Sequence, residues 1–390
     1  MLKNKRLIIL SIGTFLAFSL VFSVNRAENN PQADHTAVAH GAEQHNVEDH
    51  AAHPAEPHAE GNHAPEKLNA GKVIMEHVAD AHGWHLWGHT ELPLPVILYH
   101  SERGLSVFSS ARFDHGHKTW GGYMLHEGKV VAVDQTEVVD AHAATVNEAL
   151  TVGITDISIT KNVATLFVVL ILLMLIFTRV AKAYTHTRKG MAPTGLQNAI
   201  EPIIMFMRDE VIKPSIGHKY ERYLPYLLTV FFFIWIANLL GLVPVFPGVD
   251  NLTGNISISM TLALFTFAVV TFSANKNYWE HVFMMPGVPK LILLLLTPIE
   301  ILGVFLRPFV LMIRLFANIT AGHIIALSFF CLIFIFGENG LGVGLAVSPL
   351  SLLFTVFMTT LELLVAFLQA YVFTMLSAVY IGAAVEEHHH

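Results

Sequence analysis

The last third of the chain holds two apolar stretches too long for an ordinary globular core. Residues 291–336 give 46 almost wholly apolar positions, ~69 Å as a helix at about 1.5 Å per residue. Residues 349–385 add 37 more, ~55 Å at the same rise. A bilayer core is about 30 Å thick, and a span needs about 20 residues. Each stretch is therefore either two ordinary spans or one long, strongly tilted helix. No turn cluster of Gly, Pro, Asn or Asp interrupts either middle, and Pro298 and Pro308 can kink a membrane helix without reversing it. Two long oblique helices are predicted, joined by a loop over Gly337–Ser348.

Upstream, the apolar run Val163–Phe177 reads as the first span after export. Arg179, Lys182, Arg188 and Lys189 follow it, a cationic cluster expected on the cytoplasmic side. Residues 196–213 mix Ile200, Ile203, Ile204, Phe206 and Met207 with Glu201, Arg208, Asp209 and Glu210. That mixture predicts an amphipathic helix lying in the interface. Leu224–Val243 and Ile256–Phe272 are two further spans around an outside turn with Pro244, Pro247, Gly248 and Asp250, and Lys276 and Lys290 flank a cytoplasmic loop. The predicted fold is an all-α polytopic membrane protein of about five spans, the last two long and strongly tilted, carrying a small β-rich exported N-terminal domain.

Charge separates that domain from the rest. Residues 28–160 carry 19 acidic and 6 basic side chains, against 11 and 13 in residues 161–390. Sixteen of the 23 histidines precede residue 151. Residues 1–27 show the basic n-region (Lys3, Lys5, Arg6) and apolar run of a signal peptide or retained signal anchor. Residues 28–71 are rich in His, Ala, Glu and Pro, a composition that cannot offset its ordering entropy and predicts a disordered tether. His35, His40, His45 and His50 recur every fifth residue, roughly 140° apart on a helix of about 3.6 residues per turn, so they form no compact ligand face. Residues 72–150 regain large apolar side chains and two hairpin patterns, Val96–His100 with Leu105–Ser109 and Tyr123–Leu125 with Val130–Val133. The histidines there (His77, His82, His85, His89, His115, His117) match no metal-ligand spacing and read as surface or packing residues. Residues 151–390 form the membrane region. The single cysteine, Cys331, excludes an intrachain disulfide and a C-x-x-C zinc site, and the acidic balance disfavours nucleic acid.

Within the long apolar helices stand Glu300, Arg307, Arg314, His323 and Glu362, with Asn318 and Gln369. Ionisable groups are costly in lipid and mark ion pathways or buried partner contacts. Glu300, Arg307 and Arg314 recur every seventh residue and share a helix face with Asn318, while Glu362 and Gln369 are also seven apart. A purely structural reading pairs Glu300 with Arg307 and Glu362 with His323. Arg314 argues against it, because its permanent charge has no acid one turn away.

Met312–His323, MIRLFANITAGH, resembles the signature of the a subunit of the F-type ATP synthase membrane sector. Pro298-Ile299-Glu300, Phe367–Phe373 (FLQAYVF), Ile236–Pro244 (IANLLGLVP) and Asn255–Leu264 (NISISMTLAL) extend the similarity over roughly residues 155–387. The resemblance implies a stator that passes protons, or in some members sodium ions, through two offset half-channels to a ring of c subunits. Arg314 matches the arginine that faces each passing c-subunit carboxylate. Asn318, His323, Glu362 and Gln369 match positions lining the exported-side channel, and Glu300 one near the cytoplasmic outlet. Some members carry an acid at the first and a histidine at the second of the positions held here by His323 and Glu362. Gly241 stands where some members have an acid, and Arg307 matches no assigned function.

The family implies c-ring subunits, b-type peripheral stalk subunits, the remaining ATP synthase subunits and the lipid bilayer as partners, with no nucleic acid and no cofactor or metal. It places the chain in a bacterial cell inner membrane, N-terminal domain outside and C-terminus in the cytoplasm. No G-x-x-x-x-G-K-[ST] loop is present, so the chain is expected to lack a catalytic site, with nucleotide chemistry on its partners. A metal-handling membrane transporter fed by the His-rich exported region is the competing reading. A third treats that region as a structural clamp.

Overall fold

The computed structural model describes residues 71, 74, 80–87, 90–126, 128–134, 139–186, 194–243, 252–285, 288–338 and 340–386. The expected signal segment, the histidine tether, His77 and His89 lie outside the described residues.

The N-terminal β-containing part begins with a hairpin of β1 (Gly83–Trp87) and β2 (Thr90–Pro93). A three-stranded antiparallel sheet follows, with β4 (Gly104–Ser109) and β7 (Ile154–Asp156) flanking β3 (Pro95–His100). A second hairpin pairs β5 (Tyr123–His126) with β6 (Lys129–Ala132). Strand alternation sets the core: Val96 and Leu98 face inward with Ile154, and meet Phe113, Tyr123, Val130 and Ala132. The sheet runs past residue 150, the edge suggested by composition. Residues 154–156 are too short to stand out as a strand, but pair with Leu98–His100. Ahead of β7, the short α1 (Glu148–Val152) offers its Leu150 carbonyl to buried His100 Nε2 at 2.9 Å.

Four residues separate β7 from the first membrane helix, α2 (Lys161–His186). Its first turn is tied to the N-terminal part. Lys161 N–H donates to the Ala81 carbonyl at 2.8 Å, and Asn162 N–H to Asp80 Oδ1 at 3.1 Å. A carboxylate from 82 residues upstream thus caps an otherwise orphan helix donor at the positive end of the dipole. Leu166, Val169, Leu170 and Leu173 follow the helical period and pack inward, and Phe177 meets Phe232 edge-on at 4.8 Å between ring centroids.

Next, α3 (Leu196–Phe206) passes through a π-helical stretch, Met207–Ile212, into the short α4 (Lys213–Ile216). Ile200, Met207, Val211 and Ile212 are buried, whereas Phe206 is exposed and stacks on Tyr371. The central helix is α5 (Tyr220–Gly241), buried over most of its circumference at Phe231–Ile234. Then come α6 (Ile256–Ser273), capped by the Asn255 side chain on Ser257 N–H at 2.9 Å, and the short α7 (Lys276–Phe283).

The two long stretches are single helices: α8 (Lys290–Gly337) has 48 residues and α9 (Leu341–Val385) has 45. Among the described residues, five segments are long and apolar enough to cross a membrane. The expected loop Gly337–Ser348 is corrected, since α8 runs through Gly337 and α9 begins at Leu341. Its Gly-rich sequence reads as a break, yet in an apolar medium the backbone is best satisfied by helix, which overrides the glycine penalty. A side chain at Gly344 would meet the Gly337 Cα at 2.9 Å, so glycine lets the two helices close tightly.

In the N-terminal part, His82 Nε2 lies 2.9 Å from Asp156 Oδ2, and Asp156 Oδ1 accepts from Ser158 N–H. Burial alone would lower the His82 pKa and raise that of Asp156. Their mutual hydrogen bond and charge outweigh it, with Asp80 adding to the pull on His82, so His82 ends raised and Asp156 lowered. The His82 contribution is complete below its ordinary value of 6.5 and lost as pH climbs through the raised folded value. The Asp156 contribution is complete above 3.8 and lost as pH falls through the lowered one. Protection of the β3 and β7 amides from hydrogen exchange in the full chain is therefore expected to peak between those values. His82→Gln should cost about 1–3 kcal/mol there and remove the alkaline loss.

Candidate functional site

The polar positions of α8 occupy the border between its packed side and its exposed apolar side. Val304, Leu311 and Leu315 are buried, while Leu306, Val310 and Ile313 are exposed. Glu300, Arg307 and Arg314 are half-buried between them, and Asn318 is exposed. One helical period therefore brings all four to a single stripe, as their spacing predicts.

α9 runs antiparallel beside this stripe, and its register is fixed by a polar bond. Asn318 Nδ2 donates to Oε1 of Gln369, a side chain only 4% exposed, at 3.1 Å. Moving nine residues up α8 from Arg314 reaches His323, and moving seven residues down α9 from Gln369 reaches Glu362. These two side chains line one cavity of about 270 Å³ with Asn238, Gly241, Leu242, Ile319 and Ala366. The cavity lies ~14 Å along α8 from Arg314 at about 1.5 Å per residue. Arg314 has no hydrogen bond or ion pair among the described residues, nor have Glu362 and Glu300.

The structural pairing of Glu300 with Arg307 does not form. Seven residues separate the two by roughly 10 Å of helix axis. Arg307 turns to Tyr278 instead, donating from Nη1 to the hydroxyl at 3.3 Å, with its Cζ 5.6 Å from the Tyr380 ring centroid. Glu362 and His323 share their cavity without Glu362 gaining an ion pair. Among the described residues no group of three or more His, Cys, Asp or Glu is gathered to hold a metal. His82 is bound to Asp156, and His115 to Glu91 at 2.7 Å.

Two residues matter here that their sequence positions did not single out. Asn238 donates from Nδ2 to the Ala366 carbonyl at 3.2 Å and accepts the Thr253 hydroxyl proton at Oδ1. The Thr253 carbonyl in turn accepts from Ser259 Oγ at 2.6 Å. This chain holds an amide at the cavity wall, and a lone Asn in an apolar span is the signal that reveals it. Gly322 is the second. A Cβ there would come within 2.9 Å of Glu362 Oε1 and 3.1 Å of Glu362 Cγ, so the glycine makes the space in which the carboxyl group sits. Its place one residue before His323 hints at a special role, but its partner is 40 residues away.

The architecture defines a polytopic helical membrane protein whose intramembrane polar groups gather along the seam between its last two helices. The chain belongs to the ATP synthase A chain family, whose model matches residues 163–382. Chlorobaculum tepidum has a relative, ATP synthase subunit a 2, that is 46% identical over 234 residues, covering 59% of this chain and 64% of that protein. ATP synthase subunit a of Chlorobium phaeobacteroides (strain BS1) is 34% identical over 330 residues, 83% of this chain and 78% of that one. The subunit a of Anaeromyxobacter sp. (strain Fw109-5) is 34% identical over 352 residues, 86% and 76%. Those two alignments are longer than residues 161–386, so the likeness continues into the N-terminal part. Residues 73–152 also match a domain of unknown function, DUF8433.

The Gly322 contact yields a test. Gly322→Ala is expected to destabilise the purified protein by about 1–3 kcal/mol through overpacking. Glu362→Asp, with a shorter side chain, should recover most of that loss in the Gly322→Ala background. Thermal unfolding of the four proteins in detergent checks it, and additive effects would show that the two positions do not touch.

Proposed function

We propose that the chain is the ion-translocating stator subunit of a rotary F-type ATP synthase. It passes protons through two half-channels to and from carboxylates on a ring of c subunits. The observation that carries this reading is Arg314, half-buried on the α8–α9 seam, permanently charged and without a partner of its own among the described residues. A guanidinium left alone in lipid is costly, and a carboxylate presented by a partner subunit relieves that cost.

The remaining groups fall into place around it. Protons enter from the exported side at the His323–Glu362 cavity, next to the end of α5, and travel along the Asn318–Gln369 ladder. Arg314 favours the ionised form of each arriving carboxylate and prevents protons from bypassing the ring. Glu300, near the other end of the stripe, serves the cytoplasmic outlet. Helices of 48 and 45 residues are ~72 and ~68 Å long at about 1.5 Å per residue. Crossing a core of about 30 Å, they lie steeply inclined and present a long face to the ring. Arg179 and Lys182 in the last turns of α2 favour the cytoplasm for that end, and α3 lies in that interface. Nucleotide chemistry belongs to the other synthase subunits, which a b-type stalk links to this one.

Arg314→Ala is expected to reduce ATP-driven proton pumping in inverted membrane vesicles to background, while the subunit still assembles with the c-ring. Normal pumping by an assembled Arg314→Ala enzyme would overturn the reading.

A further inference from the structure

Arg307 stands outside the pathway just described, yet it is as expensive to place in a membrane as Arg314. It faces a second cleft, about 270 Å³, between α6, α7, α8 and α9. Its described partners are both neutral: the Tyr278 hydroxyl and the Tyr380 ring. A guanidinium carries five N–H donors and a permanent charge, so one phenol and one ring leave most of its donors and all of its charge uncompensated. The other polar wall group, Thr266, is already engaged with the Tyr226 hydroxyl at 2.8 Å. The rest of the wall, including Phe267, Val304 and Leu311, is apolar.

Depth narrows the choice of counter-ion. Tyr380 lies five residues before Val385, where α9 ends, ~8 Å along the axis at about 1.5 Å per residue. The Val385 carbonyl there accepts from Asn275 Nδ2 at 3.0 Å and Lys219 Nζ at 3.5 Å, which marks the polar rim. A bilayer's headgroup layer is roughly 5–8 Å thick on each side. Tyr278, Trp279 and Tyr380 supply the aromatic side chains that favour that level. Exposed Lys276, two residues before Tyr278, is paired with Glu280 at 3.5 Å, so Arg307 is the charge that the cleft itself offers.

We infer that this cleft binds the phosphate of an anionic phospholipid from the leaflet at the α9 C-terminus. The guanidinium takes two phosphate oxygens side by side. Tyr278, whose oxygen accepts from Arg307, keeps its own proton to donate to one of the same two oxygens, which has a further lone pair to accept it. An acyl chain then lies along Phe267, Val304 and Leu311. Only the identity of the leaflet, cytoplasmic, rests on the orientation proposed above.

The test uses the ATP synthase holoenzyme, extracted in mild detergent from cells carrying the native chain, Arg307→Gln or Tyr278→Phe. Tightly bound phospholipid is counted by mass spectrometry. Each enzyme is then returned to phosphatidylcholine vesicles and titrated with spin-labelled phosphatidylglycerol. Arg307→Gln should lose one anionic lipid per complex and bind the probe about tenfold more weakly, the scale of one charge-assisted pair. Tyr278→Phe, which removes a single hydroxyl and spares the fold, should weaken it in the same direction. Unchanged lipid content and probe affinity in both variants would overturn the inference, whatever happens to pumping. So would displacement of the probe by inorganic phosphate as effectively as by unlabelled phosphatidylglycerol, since that would mark a site for the free anion. Normal pumping by Arg314→Ala would leave a positive lipid result standing, so the two proposals fail separately.

Discussion

The antiparallel seam of α8 and α9 works under a solvent that offers no hydrogen bonds, so every polar group near it must find a partner within the protein or be kept for one outside. Most are satisfied locally. Hydroxyls of Ser328, Thr355, Thr359, Thr360 and Ser377 bond back to carbonyls four residues earlier on their own helices. Asn238 is held by Thr253 and Ala366, and Asn318 by Gln369. After these are accounted for, the side chains left without a bond among the described residues include Glu300, Arg314 and Glu362, all on the two longest helices. Satisfied groups fix the register, and the remainder define where an ion or a partner can act.

Register and cavity depend on each other through residue size. Ala366 and Ala370 bury almost completely where α9 meets its neighbours, and Gln369 is carried between them into the seam. Gly322 then gives Glu362 its space. A bulkier residue at any of these positions would separate the helices and lengthen the Asn318–Gln369 bond, so packing and polar chemistry here are one design problem.

Much of this was legible in the chain itself. The absence of a turn cluster in the middle of 291–336 and 349–385 foretold two unbroken helices, and seven-residue spacing foretold the stripe through Arg314. The strand pattern gave the β3–β4 and β5–β6 hairpins of the N-terminal part but not the β1–β2 hairpin. The remainder depended on groups distant in sequence. Nothing near Arg307 announces Tyr278 and Tyr380, which come from different helices. Nothing near Gly322 announces Glu362. The glycines between Gly337 and Gly344 misled, because their meaning changes with the medium: a break in water, a close crossing in lipid.

The join between the N-terminal sheet and the first helix has a mechanical consequence. Ile157 and Ile159 continue bonding to the carbonyls of Ile97 and Pro95 almost until α2 begins, and Asp80 and Ala81 take the helix's first amides. Backbone bonding therefore continues from the sheet into the helix. The sheet is thus a lever on α2, and a load applied to it reaches the aromatic contact between Phe177 and Phe232 with little slack. A probe attached to the outer strand β4 would swing with any rocking of the helix bundle, magnifying movements of a few degrees into displacements that can be measured.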